Sequence, residues 1–295
     1  MINTAELPKA INAAGVHATF TNERYGNHER NTFDIWLADS ESPTPLVIYI
    51  HGGGFIGGDK SRYYDSEDWV RLLDAGISIA SINYRFMSEP PYGILGSMND
   101  SKRCLQYIRS NAKKYNIDKY SIACSGGSAG AGTSLWLAFS DDMADAESDD
   151  PVLRESTKIL CAAAFSTQST YDILRWPELV GLPPYESNEQ LLPIARVYGF
   201  KSADGINLYE QLDVRYDLDF LNKMTENAPP FFVFNHYEGG IPTTEDELQH
   251  HPLHARMLKD RAEEVGAEAI VYAPAIGISD PSGKDVVEFF IEKLL

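Results

Sequence analysis

Apolar and polar positions follow two rhythms along this chain, and the order in which they alternate predicts the fold. Short apolar or alternating runs at residues 16–22, 31–37, 46–50, 77–83, 120–124, 159–165, 230–235 and 269–273 have the length and side-chain types of strands. Between them the spacing changes to three and four. Trp69, Val70, Leu72 and Leu73 mark a helix over 65–75, and Cys104, Leu105, Tyr107, Ile108 and Ala112 mark another over 100–115. Further helices follow residue 128, run through Leu258 and Ala262, and close the chain at 285–295. Strands that read as continuous apolar runs are buried on both faces. The expected fold class is therefore α/β, a mostly parallel central sheet covered by helices on both faces.

The rhythm breaks at 166–228. Trp176, Pro183, Pro184, Tyr185, Tyr198, Tyr209 and Tyr216 are mixed there with short helical pieces, and no strand is evident. This stretch reads as a helical insertion over a pocket, within one domain spanning residues 1–295.

Composition narrows the partners more than the fold. A formal net charge of −18 is spread over the whole chain, a surface that repels nucleic acid and anionic membranes. No apolar stretch reaches the ~20 residues of a transmembrane helix, and residues 1–16 lack the apolar core of a secretion signal. Cys104, Cys124 and Cys161 lie in apolar segments without metal-ligand spacing, as expected of free thiols in a cytoplasmic protein. The acidic run 141–150 lacks the ordered spacing of a calcium loop and reads as a solvated loop, so no metal is expected.

Two motifs carry chemistry. His51-Gly52-Gly53-Gly54-Phe55 follows the apolar strand 46–50, and Gly126-Gly127-Ser128-Ala129-Gly130 follows the strand ending at Cys124. A G-x-S-x-G sequence between strand and helix is a nucleophile elbow, a turn so tight that small residues must flank the serine. An upstream HGGG loop supplies backbone N–H groups that can closely approach a developing oxyanion. Ser128 is the expected nucleophile, with Gly53, Gly54 and Ala129 as oxyanion donors.

With Asn83-Tyr84-Arg85 and with Asp100 opening the next helix, these motifs resemble the α/β-hydrolase superfamily. More narrowly, they are similar to its hormone-sensitive-lipase-like branch of bacterial carboxylesterases. The resemblance implies hydrolysis of a small-molecule carboxylic ester with no cofactor. It also implies that His51 braces the glycine loop, and that a catalytic acid follows the strand 230–235 within a few residues. That position falls on Glu238, with Asp246 and Asp280 as the other candidates.

The resemblance fails at the catalytic base, because no histidine follows His254 and residues 274–281 contain none. A hydroxyl without a base is a poor nucleophile at neutral pH. His236, His250, His251 and His254 remain near the expected edge of the sheet, and Pro252 suits the first turn of a helix entered by His250 and His251. His250 is the leading candidate, ahead of His251 and His254, with the positive end of that helix favouring a neutral ring. Plant gibberellin receptors resemble the same branch, keep both motifs and lack the histidine. The alternative function is accordingly a non-catalytic, receptor-like ligand-binding protein. Oligomeric state is not legible.

Overall fold

A computed structural model describes residues 15–207 and 212–295; Tyr209 and most of the leading segment assessed for a secretion signal lie outside them. One sheet contains β1 (Phe20–Arg24), β2 (Thr32–Trp36), β3 (Thr44–Ile50), β4 (Ser78–Ile82), β5 (Ile117–Gly127), β6 (Ala162–Phe165), β7 (Phe231–Phe234) and β8 (Ala269–Tyr272). Their order is β1-β2-β4-β3-β5-β6-β7-β8. β1 and β2 join antiparallel at one edge, and every pairing from β4 to β8 is parallel.

The helices are α1 (Glu67–Asp74), α2 (Ile94–Ser110), α3 (Ala129–Phe139), α4 (Trp176–Leu179), α5 (Asn188–Val197), α6 (Leu212–Leu218), α7 (Phe220–Lys223), α8 (Glu245–Gln249), α9 (Leu253–Val265) and α10 (Val286–Leu294). Alternate residues of a strand point to opposite faces, and β3 shows the result. Leu46, Ile48 and Ile50 enter the larger core with α2, α3 and α9, while Val47 and Tyr49 enter a second core with α1 and α10. Burial on both faces explains why the strands carried so clear a signal.

The helix expected from residue 100 begins six residues earlier, at Ile94. Asp100 therefore does not open a helix. It is buried within α2, takes two hydrogen bonds from the Arg85 guanidinium at 2.8 Å each, and accepts another from Asn31 at 2.7 Å. A buried carboxylate needs such partners to offset its lost hydration.

Between β6 and β7 the chain is helical, with α4 to α7 and no strand among the described residues. Ion pairs of Asp172 with Arg215 and of Asp219 with Arg175 cross this segment. No helix among the described residues is long and apolar enough to cross a membrane.

In sheet order β3 and β5 are neighbours, although their onward connections run to opposite halves of the sheet. Such a switch point opens a crevice at the carboxyl ends of the strands. The two glycine motifs leave from those ends, because Ile50 pairs with Gly126 in the last rung of the ladder.

Candidate active site

The serine turn is held in a strained conformation by its surroundings. Ser128 has φ 50° and ψ −115°, a conformation rarely adopted by a residue with a Cβ, and it joins β5 directly to α3. A Cβ at Gly130 would lie 1.9 Å from the carbonyl oxygen of Ile50, so β3 and the start of α3 approach this closely only because glycine is there. The Ser128 N–H is fixed by the Phe165 carbonyl at 2.9 Å.

Beside it, Gly53 has φ 110° and its carbonyl accepts from the N–H groups of both Ile56 and Gly57 at 3.1 Å, curling the loop back on itself. Among the described residues, the N–H groups of Gly53, Gly54 and Ala129 donate to no other protein group. His51 lies beneath this loop. Its Nε2 faces the Arg30 guanidinium at 3.3 Å, its Nδ1 faces the Gly52 carbonyl at 2.7 Å, and its ring stacks on Tyr84 at 4.2 Å. Burial pulls its pKa down to about 4, so the ring is a neutral brace.

His250 meets the serine. Ser128 Oγ lies 2.8 Å from His250 Nε2. On the other side of the ring, Nδ1 is 3.0 Å from Asp246 Oδ1 and 3.1 Å from the Asp246 carbonyl oxygen. Both groups can only accept, which puts the proton on Nδ1 and leaves Nε2 free to accept from the serine hydroxyl.

Two expectations change here. His250 does not stand at the N-terminal entrance of the long helix α9. It caps the C-terminal end of the five-residue α8, so the helix end that meets its ring is a carbonyl end. The carboxylate beside Nδ1 is Asp246, not Glu238. Glu238 is exposed and has no hydrogen bond or ion pair among the described residues, while Asp280 accepts the Ser282 N–H within its own loop. Asp246 and His250 are four residues apart on one helical turn, the spacing that brings side chains together. Its carboxylate is 67% exposed, open to water on the far side.

The sequence contained a signal for this helix. Thr244-x-x-Glu247 is a capping box, and both of its reciprocal hydrogen bonds are formed.

The other histidines have different partners. His251 Nε2 faces the Gly240 carbonyl at 2.9 Å. His254 is buried, accepts from the Ser169 N–H and hydroxyl, donates to the Leu248 carbonyl, and is driven by burial to a pKa of about 3. His236 is exposed, with Nδ1 3.2 Å from Ser166 Oγ.

A cavity of about 620 Å³ opens in front of Ser128. Phe55, Tyr171, Trp176, Tyr185, Ile194 and Val197 give it a mostly apolar wall, supplied largely by the segment between β6 and β7. Tyr216 is 73% exposed and does not line it. Gln168, Gln190 and the carboxylates of Glu189 and Glu245 add polar groups, and no lysine or arginine lines it. No cluster of metal-ligating side chains occurs among the described residues. The arrangement sets a hydroxyl against an imidazole nitrogen able to accept its proton, with backbone amides that have no protein acceptor among the described residues, beside an apolar cavity.

The chain is 24% identical, over 92% of its length, to the protein named probable carboxylic ester hydrolase LipM of Mycobacterium tuberculosis (strain ATCC 25618 / H37Rv). It is 26% identical over 70% of its length to esterase LipQ of the same organism. It spans only 58% and 45% of those two proteins' own lengths. Among solved structures, a truncated form of carbohydrate esterase from gut microbiota superposes with TM-score 0.69 at 20% identity, covering 93% of this chain and 95% of that one. The bifunctional GH43-CE of Bacteroides eggerthii superposes with TM-score 0.66 at 18% identity, covering 93% of this chain and 38% of that one. The shared fold is the α/β-hydrolase fold. The BD-FAE family model matches residues 33–237, from β2 to just beyond β7, and the chain belongs to the BD-FAE family.

Proposed function

We propose that this protein hydrolyses small or aromatic carboxylic esters through an acyl-enzyme on Ser128. The observation that carries this is the 2.8 Å contact between Ser128 Oγ and an imidazole whose other nitrogen faces a carboxylate. As Oγ attacks the ester carbonyl, its proton passes to His250 Nε2. The tetrahedral oxyanion meets the N–H groups of Gly53, Gly54 and Ala129, and Nε2–H then protonates the departing alkoxide. Water, deprotonated by the same Nε2, releases the acid and restores the hydroxyl. Asp246 holds the Nδ1–H tautomer and stabilises the imidazolium formed in each half-reaction.

No step calls for a cofactor. Aromatic cavity walls suit an apolar acyl or alcohol group. The names of LipM and LipQ as ester hydrolases support the same reaction class. The receptor-like alternative drew on the absence of a histidine from residues 274–281, and the imidazole at Ser128 weighs against it.

Hydrolysis of p-nitrophenyl acetate and butyrate tests the proposal. Ser128→Ala and His250→Gln should each lower kcat by at least about 10³-fold with the fold intact. Wild-type turnover no faster than that of Ser128→Ala would return the receptor-like reading.

A further inference from the structure

An orienting carboxylate that is two-thirds exposed is a weak device by itself, because water competes for its oxygens and screens its charge. The structure surrounds the His250–Asp246 pair with a support that compensates. Tyr237 stacks on the His250 ring, with centroids 4.7 Å apart and planes 24° from parallel. It is flanked in turn by the His236 ring at 4.9 Å, which the Ser166 hydroxyl holds.

The link between Tyr237 and His250 is also made through the backbone. Asn235, fully buried at the end of β7, donates from Nδ2 to the His250 carbonyl at 2.9 Å and accepts the Tyr237 N–H on Oδ1 at 2.9 Å. One side-chain amide thus ties both residues to the rigid edge of the sheet. Burial and the nearby Asp246 charge raise the Tyr237 phenol above its ordinary pKa.

We propose that Tyr237, anchored by Asn235, is a positioning residue for the proposed ester hydrolysis. Its ring fixes the plane of the His250 imidazole, which keeps Nδ1 facing Asp246 and Nε2 facing Ser128. This inference rests on His250 acting as the base. It assigns to Tyr237 what a buried environment supplies when the acid of such a triad is itself buried.

The test separates ring from hydroxyl. Tyr237→Phe keeps the stack and should leave kcat within about twofold of wild type at unchanged KM. Tyr237→Leu removes the stack and should lower kcat about 10- to 100-fold, as expected when a catalytic group is misplaced by about an ångström. In a His250→Gln background the Tyr237→Leu penalty should fall below about twofold, since the ring acts through that imidazole.

A second readout does not depend on turnover. The downfield proton resonance of His250 Nδ1–H, identified by its loss in His250→Gln, should persist in Tyr237→Phe and vanish by exchange in Tyr237→Leu. Wild-type kcat in Tyr237→Leu, or a loss in Tyr237→Phe as large as that in Tyr237→Leu, would overturn the proposal. So would an unchanged resonance in Tyr237→Leu. If wild type has no esterase activity yet the resonance responds as described, ester hydrolysis fails and the positioning role of Tyr237 stands.

Discussion

Asp246 and Glu238 predict different outcomes for two conservative substitutions. Asp246 faces Nδ1 of His250, while Glu238 is exposed with no partner among the described residues. Asp246→Asn should therefore lower kcat about 100-fold, less than for a fully buried triad acid because water already screens this one. Glu238→Gln should leave kcat within about twofold of wild type, the scatter of a neutral surface change. Steady-state kinetics on p-nitrophenyl butyrate decide between them.

Two other histidines make a prediction about stability. His254 and His51 have pKa values lowered by burial to about 3 and about 4. Between those values and the unfolded value near 6.5, the unfolded chain binds protons that the native state does not, so stability rises with pH. Their contribution is fully present above pH 6.5 and is lost as pH falls towards 3, at up to about 1.4 kcal/mol per pH unit for each ring. Chemical denaturation from pH 7 to 4.5 should show this slope, and it should be shallower in His254→Gln. That Ser128 and the glycine loop would lie side by side was legible because each motif ties residue type to backbone geometry. The choice of carboxylate was not, since it depends on a helical turn rather than on a residue type.

Element boundaries show where that limit lies. The parallel strands were found because both of their faces are buried. Helix α2 was entered six residues late because its first turn, from Ile94, follows Pro90 and Pro91 and lacks a side-chain cap. Helix α8 was missed altogether, although Thr244 and Glu247 spell its start. Five residues carry too little periodicity to register.

Yet α8 supplies the proposed base, its carboxylate and, through Glu245, Leu248 and Gln249, part of the cavity wall. Isolated helices of this length do not persist in water, so its cap and its packing must hold it. Thr244→Ala removes a cap worth about 1 kcal/mol. That loss should appear mainly as local opening of α8, with kcat reduced about fivefold by the same free energy and Tm lowered by only a few degrees. Hydrogen exchange of the residue 245–250 amides, measured beside kinetics, checks the match. A large fall in Tm with unchanged kcat would show that the cap serves global stability instead.

At the scale of the whole molecule, charge and connectivity set what the cavity admits and what the chain can tolerate. With a net charge of −18 and Glu189 and Glu245 on the cavity wall, the approach to Ser128 lies in a negative field. A mono-p-nitrophenyl glutarate ester should be hydrolysed with about tenfold lower kcat/KM than its neutral butyrate counterpart at low ionic strength. Added salt should narrow the gap, and the double change of Glu189→Gln with Glu245→Gln should narrow it further.

The alternation of strands and helices was enough to anticipate the sheet, and the lack of a histidine after β8 pointed to His250, though not to its place at the end of α8. With the proposed base there, the loop after β8 takes no part in the proposed chemistry. Ala273 and Ile278 close it with a small bridge, the Asp280 carboxylate serves only its own turn, and Ser282 and Gly283 are exposed. A loop relieved of chemistry becomes a place where foreign sequence can be written. A short epitope or a whole binding module inserted between Ser282 and Gly283 should leave kcat/KM within about twofold. The proposed catalytic groups, all placed before β8, would then keep their geometry while the inserted module folds beside them.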